Sequence, residues 1–248
     1  MSILSKNQIK FIKSLHQKKY RQEHQMFLLE GEKLVNEALR DKPEIIDCLI
    51  INSSFKNKNT LPSHIPIYQT DESIFNSLSQ LTTPPNIMAV CKYFEIPSKP
   101  INLQKQFTFY LDNINDPGNF GTIIRTCDWF GITELFCSPQ CVDVLNPKSI
   151  QASKGSFLRV KITYTKFENL NLPDAVNIYA AHMKGKNIFE ITDKTGLIIL
   201  GNEANGISTE LLQFVKEKIS IPKHPDSHTE SLNVAMSAAI IASQFFKS

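Results

Sequence analysis

An α/β fold, with a small N-terminal α/β unit followed by a larger unit on a largely parallel sheet, is predicted by three features of this 248-residue chain. Short apolar and β-branched runs alternate with segments of helical periodicity over its whole length. Polar loops carrying Gly, Asn and Pro follow directly after several of those runs. A proline-bearing polar stretch, EIPSKPINLQKQ, interrupts the alternation near its middle and divides it in two.

The elements follow in order. Ile9, Ile12 and Leu15, with Phe11 alongside, recur at helical spacing while Lys6, Lys10 and Lys13 fall between them, which predicts an amphipathic helix with a basic outer face. The basic run continues through Lys18, Lys19 and Arg21, so six cations precede the first acid at Glu23. Met26 to Leu29 reads as a strand, and Leu34, Val35, Ala38 and Leu39 form one helix face. Ile45 to Ile51 is β-branched enough for a buried strand, Asp71 caps a short helix containing Ile74, Phe75 and Leu78, and Ile87 to Phe94 is a further strand. These make an N-terminal unit over 1–95, a linker over 96–106 holding Pro97 and Pro100, and a second unit over 107–248.

The second unit opens with the strand FTFYLD, ending at Asp112, and a helix from about Asn119 to Phe130 that Gly131 stops. Further strands are expected at Glu134 to Phe136, Ile178 to Ala181, Leu197 to Leu200 and Ile219 to Ile221. Strand and helix alternation of this kind gives a parallel sheet covered on both faces, with ligands at the carboxyl ends of its strands.

Composition narrows the function classes. With 42% hydrophobic and 21% charged residues the chain has an ordinary soluble make-up, and its net charge of +3 is too small to announce a nucleic-acid partner from bulk charge. Five cysteines without a Cys-x-x-Cys pair point to a reducing cytoplasm rather than a disulfide scaffold. No metal is expected: Cys137 and Cys141 lack further ligands at matching spacing, and Pro225 breaks the helix that His224 and His228 would need. No apolar run approaches the ~20 residues of a membrane span, so no membrane partner is expected.

Three loops carry the unusual residues. In LDNINDPGNFGTIIRT, Pro117 and Gly118 make a tight turn, Gly121 allows close backbone approach, and Asn119 at a helix start precedes Arg125 by one and a half turns. In LIILGNEANGIS, an apolar strand runs into Gly201, Asn202, Glu203 and Gly206, a loop that is neither Gly-x-Gly-x-x-Gly nor a Gly-Lys-Ser/Thr phosphate loop. In IPKHPDSHTESLNVAMSAAI, Ser231, Leu232 and Asn233 present a hydroxyl, an apolar contact and an amide at the start of a small-residue helix.

Together and in this order, the three segments resemble the signature motifs of the SpoU (TrmH) family of RNA ribose 2′-O-methyltransferases, within the SPOUT superfamily. Asp116, Pro117, Asn119, Gly121 and Arg125 match the first motif; Gly201, Glu203 and Gly206 match the second; Ser231 to Val234 match the third. Asn146, Pro147, Lys148, Ala152, Ser153 and Gly155 match a stretch common in the family, and the segment from Ser5 through FLLEGEKLVNEAL resembles its frequently attached substrate-binding domain. The loop KHPDSHTE and Gln151, where Arg is frequent, depart from the pattern.

The resemblance implies a SPOUT-type C-terminal sheet with a deep trefoil knot, a homodimer, and S-adenosylmethionine as cofactor. It implies a cofactor site at Leu200, Gly201, Ile221 and Leu232, and a catalytic set of Asn119, Arg125, Glu203, Ser231 and Asn233. Within it, Arg125 and Asn119 would face the acceptor ribose, in one chain or across the dimer interface, with Glu203, Ser231 and Asn233 supporting them. The basic N-terminal cations Lys6, Lys10, Lys13, Lys18, Lys19 and Arg21 then become candidates for RNA phosphate contacts. Ribosomal RNA is the expected substrate; transfer RNA, or RNA binding without methyl transfer, are the alternatives.

Overall fold

The computed structural model describes residues 3–56, 61–97 and 101–246. The N-terminal part holds helices α1 (Lys6–Ser14), α2 (Lys18–His24), α3 (Glu32–Asp41) and α4 (Glu72–Leu78) around strands β1 (Met26–Glu30), β2 (Ile46–Asn52), β3 (Ile67–Thr70) and β4 (Ile87–Lys92). These strands form one sheet in the order β1-β4-β2-β3, antiparallel except for the β2/β3 pair. Ser5 caps α1 in a reciprocal capping box with Gln8, and Asp71 caps α4. Alternation along the strands sends Leu28, Ile50, Met88 and Val90 toward α1 and α4, while Phe27, Leu29, Leu49 and Ala89 face the opposite side, against α3.

The C-terminal part is built on β5 (Phe107–Leu111), β6 (Glu134–Cys137), β7 (Lys161–Tyr164), β8 (Ile178–Asn187), β9 (Gly196–Leu200) and β10 (Glu217–Ser220). All its pairings are parallel, in the order β10-β8-β9-β5-β6-β7. The central strands are buried throughout, which is why they read as unbroken apolar runs rather than alternations. Helices α5 (Pro117–Trp129), α6 (Pro147–Ser153) and α8 (Val234–Phe245) cover one face. The other is closed by Leu103, Phe167, Val176, Leu211 and neighbouring residues in short turns and in α7 (Thr209–Leu212), not by long helices. No described helix is long and apolar enough to cross a membrane.

Two strands escaped the sequence pattern. Both β3 and β7 are four residues long and only partly buried, at sheet edges, so they lack the apolar run that betrays a strand. Two helix starts also differ from expectation. Helix α5 begins at Pro117 under an Asp116 cap, which places Asn119 in the first turn instead of at the cap. Helix α8 begins at Val234 with Asn233 as its cap, leaving Ser231 and Leu232 in the preceding loop.

The two sheets share a core. Phe157, just after α6, meets Phe27 of β1 edge-on at 6.0 Å between ring centroids and Phe94 at 6.2 Å. Polar bonds reinforce the seam: Gln151 Nε2 donates to the Glu30 carbonyl at 2.8 Å, and Arg159 bridges Glu37 and Asp41 of α3 to Asp128 of α5. Within the stretch that the sequence suggests as a linker, Pro100 lies outside the described residues.

Candidate active site

The carboxyl ends of β5 and β9 meet at the centre of the parallel sheet, and two polar side chains fasten the loops that leave them. Asp112, buried directly after β5, accepts the Ser208 backbone N–H at 2.7 Å and the Asn113 side-chain amide at 3.0 Å. Asn202, two residues past β9, donates to the Asn113 carbonyl at 2.8 Å and accepts from Ala204 N at 2.8 Å. Paired backbone bonds between Asn202 and Gly206, at 3.0 and 2.8 Å, close a compact turn with Glu203 at its rim. Gly206 has φ +70°, a conformation other residues rarely adopt. A Cβ on Gly201 would stand 2.3 Å from the Gly206 carbonyl carbon, so glycine there lets backbone lie on backbone.

The motif helix α5 is seated by another close approach. A Cβ on Gly121 would lie 2.4 Å from the Ser149 carbonyl oxygen and 2.6 Å from Ala152 Cβ, so α5 and α6 pack with almost nothing between them. That contact explains why Gly121 occurs together with Ala152 and Ser153. Asp116 Oδ1 accepts from Asn119 N at 2.7 Å and fixes the first turn.

Three of the five predicted catalytic residues come together. Asn119 is the hub: its side-chain N–H donates to Glu203 Oε1, and its Oδ1 accepts from Asn233 Nδ2 at 2.9 Å. Asn233 Oδ1 in turn accepts from Ala235 N and Met236 N at 2.9 and 3.2 Å, capping α8. One hydrogen-bonded chain therefore ties the starts of α5 and α8 to the loop after β9. The two remaining residues stand apart. Ser231 is exposed and makes no hydrogen bond among the described residues. Arg125, also exposed and without a protein partner among them, lies about 240° around the α5 axis from Asn119. It lines a different space, a cavity of about 350 Å³ at the seam between the two sheets.

That cavity is walled by Lys33 and Glu37 of α3, by Arg125, Asp128 and Trp129 of α5, and by Lys154, Ser156 and Arg159. Its acids are already engaged, since Arg159 binds Asp128 at 2.8 Å and Glu37 at 3.1 Å. The neighbouring Asp41 carboxyl is held down to about 2, first by Arg40 and then by Arg159.

The main-chain polar groups of Gly201, Ile221 and Leu232 have no hydrogen-bond partner among the described residues, and Leu232 is half exposed beside the Asn119–Asn233 bond. Free peptide groups beside the exposed Leu232 side chain fit a cofactor with polar and apolar portions, whereas Leu200 is buried and its carbonyl accepts the Asp112 N–H at 2.8 Å. Of the predicted basic face, Lys6, Lys10, Lys13, Lys18 and Lys19 are exposed. Arg21 does not belong with them: it is 2% exposed, donates to the Leu15 and His16 carbonyls at 3.2 and 2.9 Å, and pairs with Asp143 at 2.7 Å. Two residues past Lys19, it falls on the opposite face of α2 and turns to Asp143, so the cation that closes the basic run is an internal strut. Sequence reasoning also took Asp112 merely as a strand end; a carboxylate finishing an otherwise apolar strand was the available signal. Among the described residues no cluster of three His, Cys, Asp or Glu could hold a metal ion.

Residues 106–243 match the SpoU rRNA Methylase family, and residues 6–89 match the MRM3-like substrate binding domain. The chain belongs to the SpoU rRNA methylase family. A SpoU relative from Bacillus subtilis, 23S rRNA (guanosine(2553)-2′-O)-methyltransferase RlmP, is 31% identical over 96% of this chain and 95% of its own. Among solved structures, a TrmH-family protein from Porphyromonas gingivalis superimposes with a TM-score of 0.80 at 34% identity, covering 98% of both chains. An rRNA methyltransferase from Sinorhizobium meliloti, solved with AdoMet bound, gives a TM-score of 0.84 at 25% identity over 99% of this chain and 96% of that one. The SpoU match spans all three motif loops, and the substrate-binding match spans the basic helices and the N-terminal sheet.

Proposed function

We propose that this SpoU family member transfers the methyl group of S-adenosylmethionine to a ribose 2′-oxygen of structured RNA, with large-subunit ribosomal RNA as the target class. The observation that carries the reading is the Asn119–Glu203–Asn233 chain, which joins all three motif loops at the carboxyl end of the parallel sheet. The naming of the B. subtilis relative as a 23S rRNA enzyme supports the target class. A knotted C-terminal path belongs to the same proposal and is supported by the full-length likeness to the P. gingivalis structure.

When bound, the cofactor supplies an electrophilic sulfonium methyl. Leu200, Gly201, Ile221 and Leu232 would hold it through peptide groups and apolar side chains. What remains for the protein is to orient the 2′-hydroxyl and to accommodate its proton. The guanidinium of Arg125 does not deprotonate at any working pH; set apart from Asn119 within one chain, it would act across the dimer interface, where it binds the adjacent phosphate and stabilises the developing alkoxide. With one Glu203 oxygen taken by Asn119, the carboxylate works as a positioning group that holds the loop after β9 onto α5. Ser231 and Asn233 complete the ribose side of the site.

Assembly as a homodimer and a cytoplasmic location complete the proposal. Met236 and Phe246 are exposed apolar residues at and just beyond α8, which supports a subunit contact there, and five free, buried cysteines suit a reducing compartment.

Tritiated S-adenosylmethionine, incubated with the protein and with separate pools of unmodified ribosomal and transfer RNA, tests this. Label in an alkali-resistant dinucleotide from ribosomal RNA, reduced about 10²- to 10³-fold by Arg125→Ala, is the expected result. Label in transfer RNA alone overturns the target class, and cofactor binding without label in either pool favours an RNA-binding protein that has lost transfer. Glu203→Gln keeps an oxygen for Asn119 and should retain turnover; a loss above tenfold would make Glu203 the proton acceptor instead.

A further inference from the structure

We propose that the seam cavity is the site for a nucleotide one or two positions from the methylated ribose, its base stacked on Trp129 and its phosphate held by Lys33 and Lys154. This rests on the RNA-methylation reading and names the part of the enzyme that receives the flanking RNA.

Trp129 is 83% exposed and has no ring contact among the described residues, although the same helix packs closely on α6 at Gly121. One exposed ring alone marks no partner, but this one borders a cavity lined by unpaired cations. It stands four residues after Arg125, on the same face and about 6 Å farther along the helix. Stacked nucleotides advance by about 3.4 Å each, so that distance is one or two steps from an acceptor held at Arg125.

Charge identifies the partner as an anion. Once Arg159 has taken Glu37 and Asp128, the cations left on the wall are Lys33, Arg125 and Lys154, none of which has an ion-pair partner among the described residues. A flat aromatic surface beside unpaired cations suits a base and its phosphate, and stacking of this kind tolerates any base. The location agrees: the cavity lies between α3, in the part matching a substrate binding domain, and the helix that carries Arg125. RNA lying on the first part while it presents a ribose to the second must cross this seam.

Trp129 is the single tryptophan of the chain, so its emission reports on this site alone. The wild-type protein is titrated with poly(A), with inorganic polyphosphate and with adenosine monophosphate, under selective tryptophan excitation, while filter retention records binding independently. Quenching by poly(A) but not by polyphosphate is expected, with adenosine monophosphate far weaker. Trp129→Ala should weaken RNA binding roughly 5- to 150-fold, Trp129→Phe should restore most of it, and affinity for S-adenosylmethionine should stay unchanged.

RNA retained on the filter with unaltered emission would overturn the placement while leaving RNA methylation intact. No retention of any RNA would remove the RNA reading and this inference together. Quenching by adenosine monophosphate at the same concentration as poly(A) would make this a free-nucleotide site. A fall in subunit mass for Trp129→Ala by light scattering would assign the ring to a subunit interface, again overturning it.

Discussion

Replacing Arg21 by alanine separates a strut from an RNA contact. The guanidinium makes three charge-bearing hydrogen bonds, to Leu15 O, His16 O and Asp143 Oδ2, the last joining residues 122 apart in the chain. Removing one member of a buried ion pair costs about 3–5 kcal/mol, because the other charge stays behind unpaired. Asp143 keeps 17% of its side chain exposed, so water compensates part of that loss and about 3 kcal/mol is expected. For a chain of this size that lowers the thermal midpoint by roughly 6–12 °C. Circular dichroism melting measures the shift, and a cycle with Asp143→Ala should show the double variant little worse than Arg21→Ala alone. RNA affinity of the folded protein and its salt dependence should be unchanged. A midpoint within about 1 °C of wild type, with RNA binding weakened as strongly as by Lys10→Ala, would refute the reasoning and return Arg21 to the basic face.

Gly121→Ala drives a methyl into the Ser149 carbonyl and Ala152, so it should cost about 1–3 kcal/mol, read as a lowered urea midpoint at unchanged slope. Replacing Lys10 and Lys13 together with alanine should reduce the slope of log affinity against log salt by about 1.4–1.8, with cofactor affinity unaltered. Burial raises the Glu30 carboxyl above its ordinary value of 4.5, against weaker opposing effects of the Ser79 hydroxyl and His16. A raised carboxyl pKa contributes stability fully present below 4.5 that is lost as pH rises through the folded value. Glu30→Gln, which keeps an oxygen for Ser79, should therefore flatten the melting midpoint against pH above 4.5 and raise it at neutrality.

Chain-local physics determined much of this protein. Inner strands were legible where burial on both faces makes an unbroken apolar run, as Leu197 to Leu200 shows, whereas the half-exposed, polar part of β8 beyond Ala181 was not. Helix α4 announced itself through its Asp71 cap and α1 through its apolar period, whereas the caps at Ser5 and Asp116 emerged only from the folded chain. Glycine, asparagine and proline marked the three motif loops as turns, and it was their resemblance to the SpoU motifs that joined them into one expected site.

Packing between distant segments decided the rest. Edge strands β3 and β7 exist because a neighbour supplies their hydrogen bonds, a condition without a sequence pattern of its own. Arg21 and Lys19 stand two residues apart on opposite faces of α2, and the fold decides which face is buried against Asp143 and which is left in water. Asn119, Glu203 and Asn233 meet across separations of 84 and 114 residues. Arg125, on the same helix as Asn119, turns instead to the seam beside Trp129 because helical rotation sets their faces apart. Local propensity specifies which residues can bond or cap, but the partner of a long-range contact is chosen by the tertiary fold that brings it within reach.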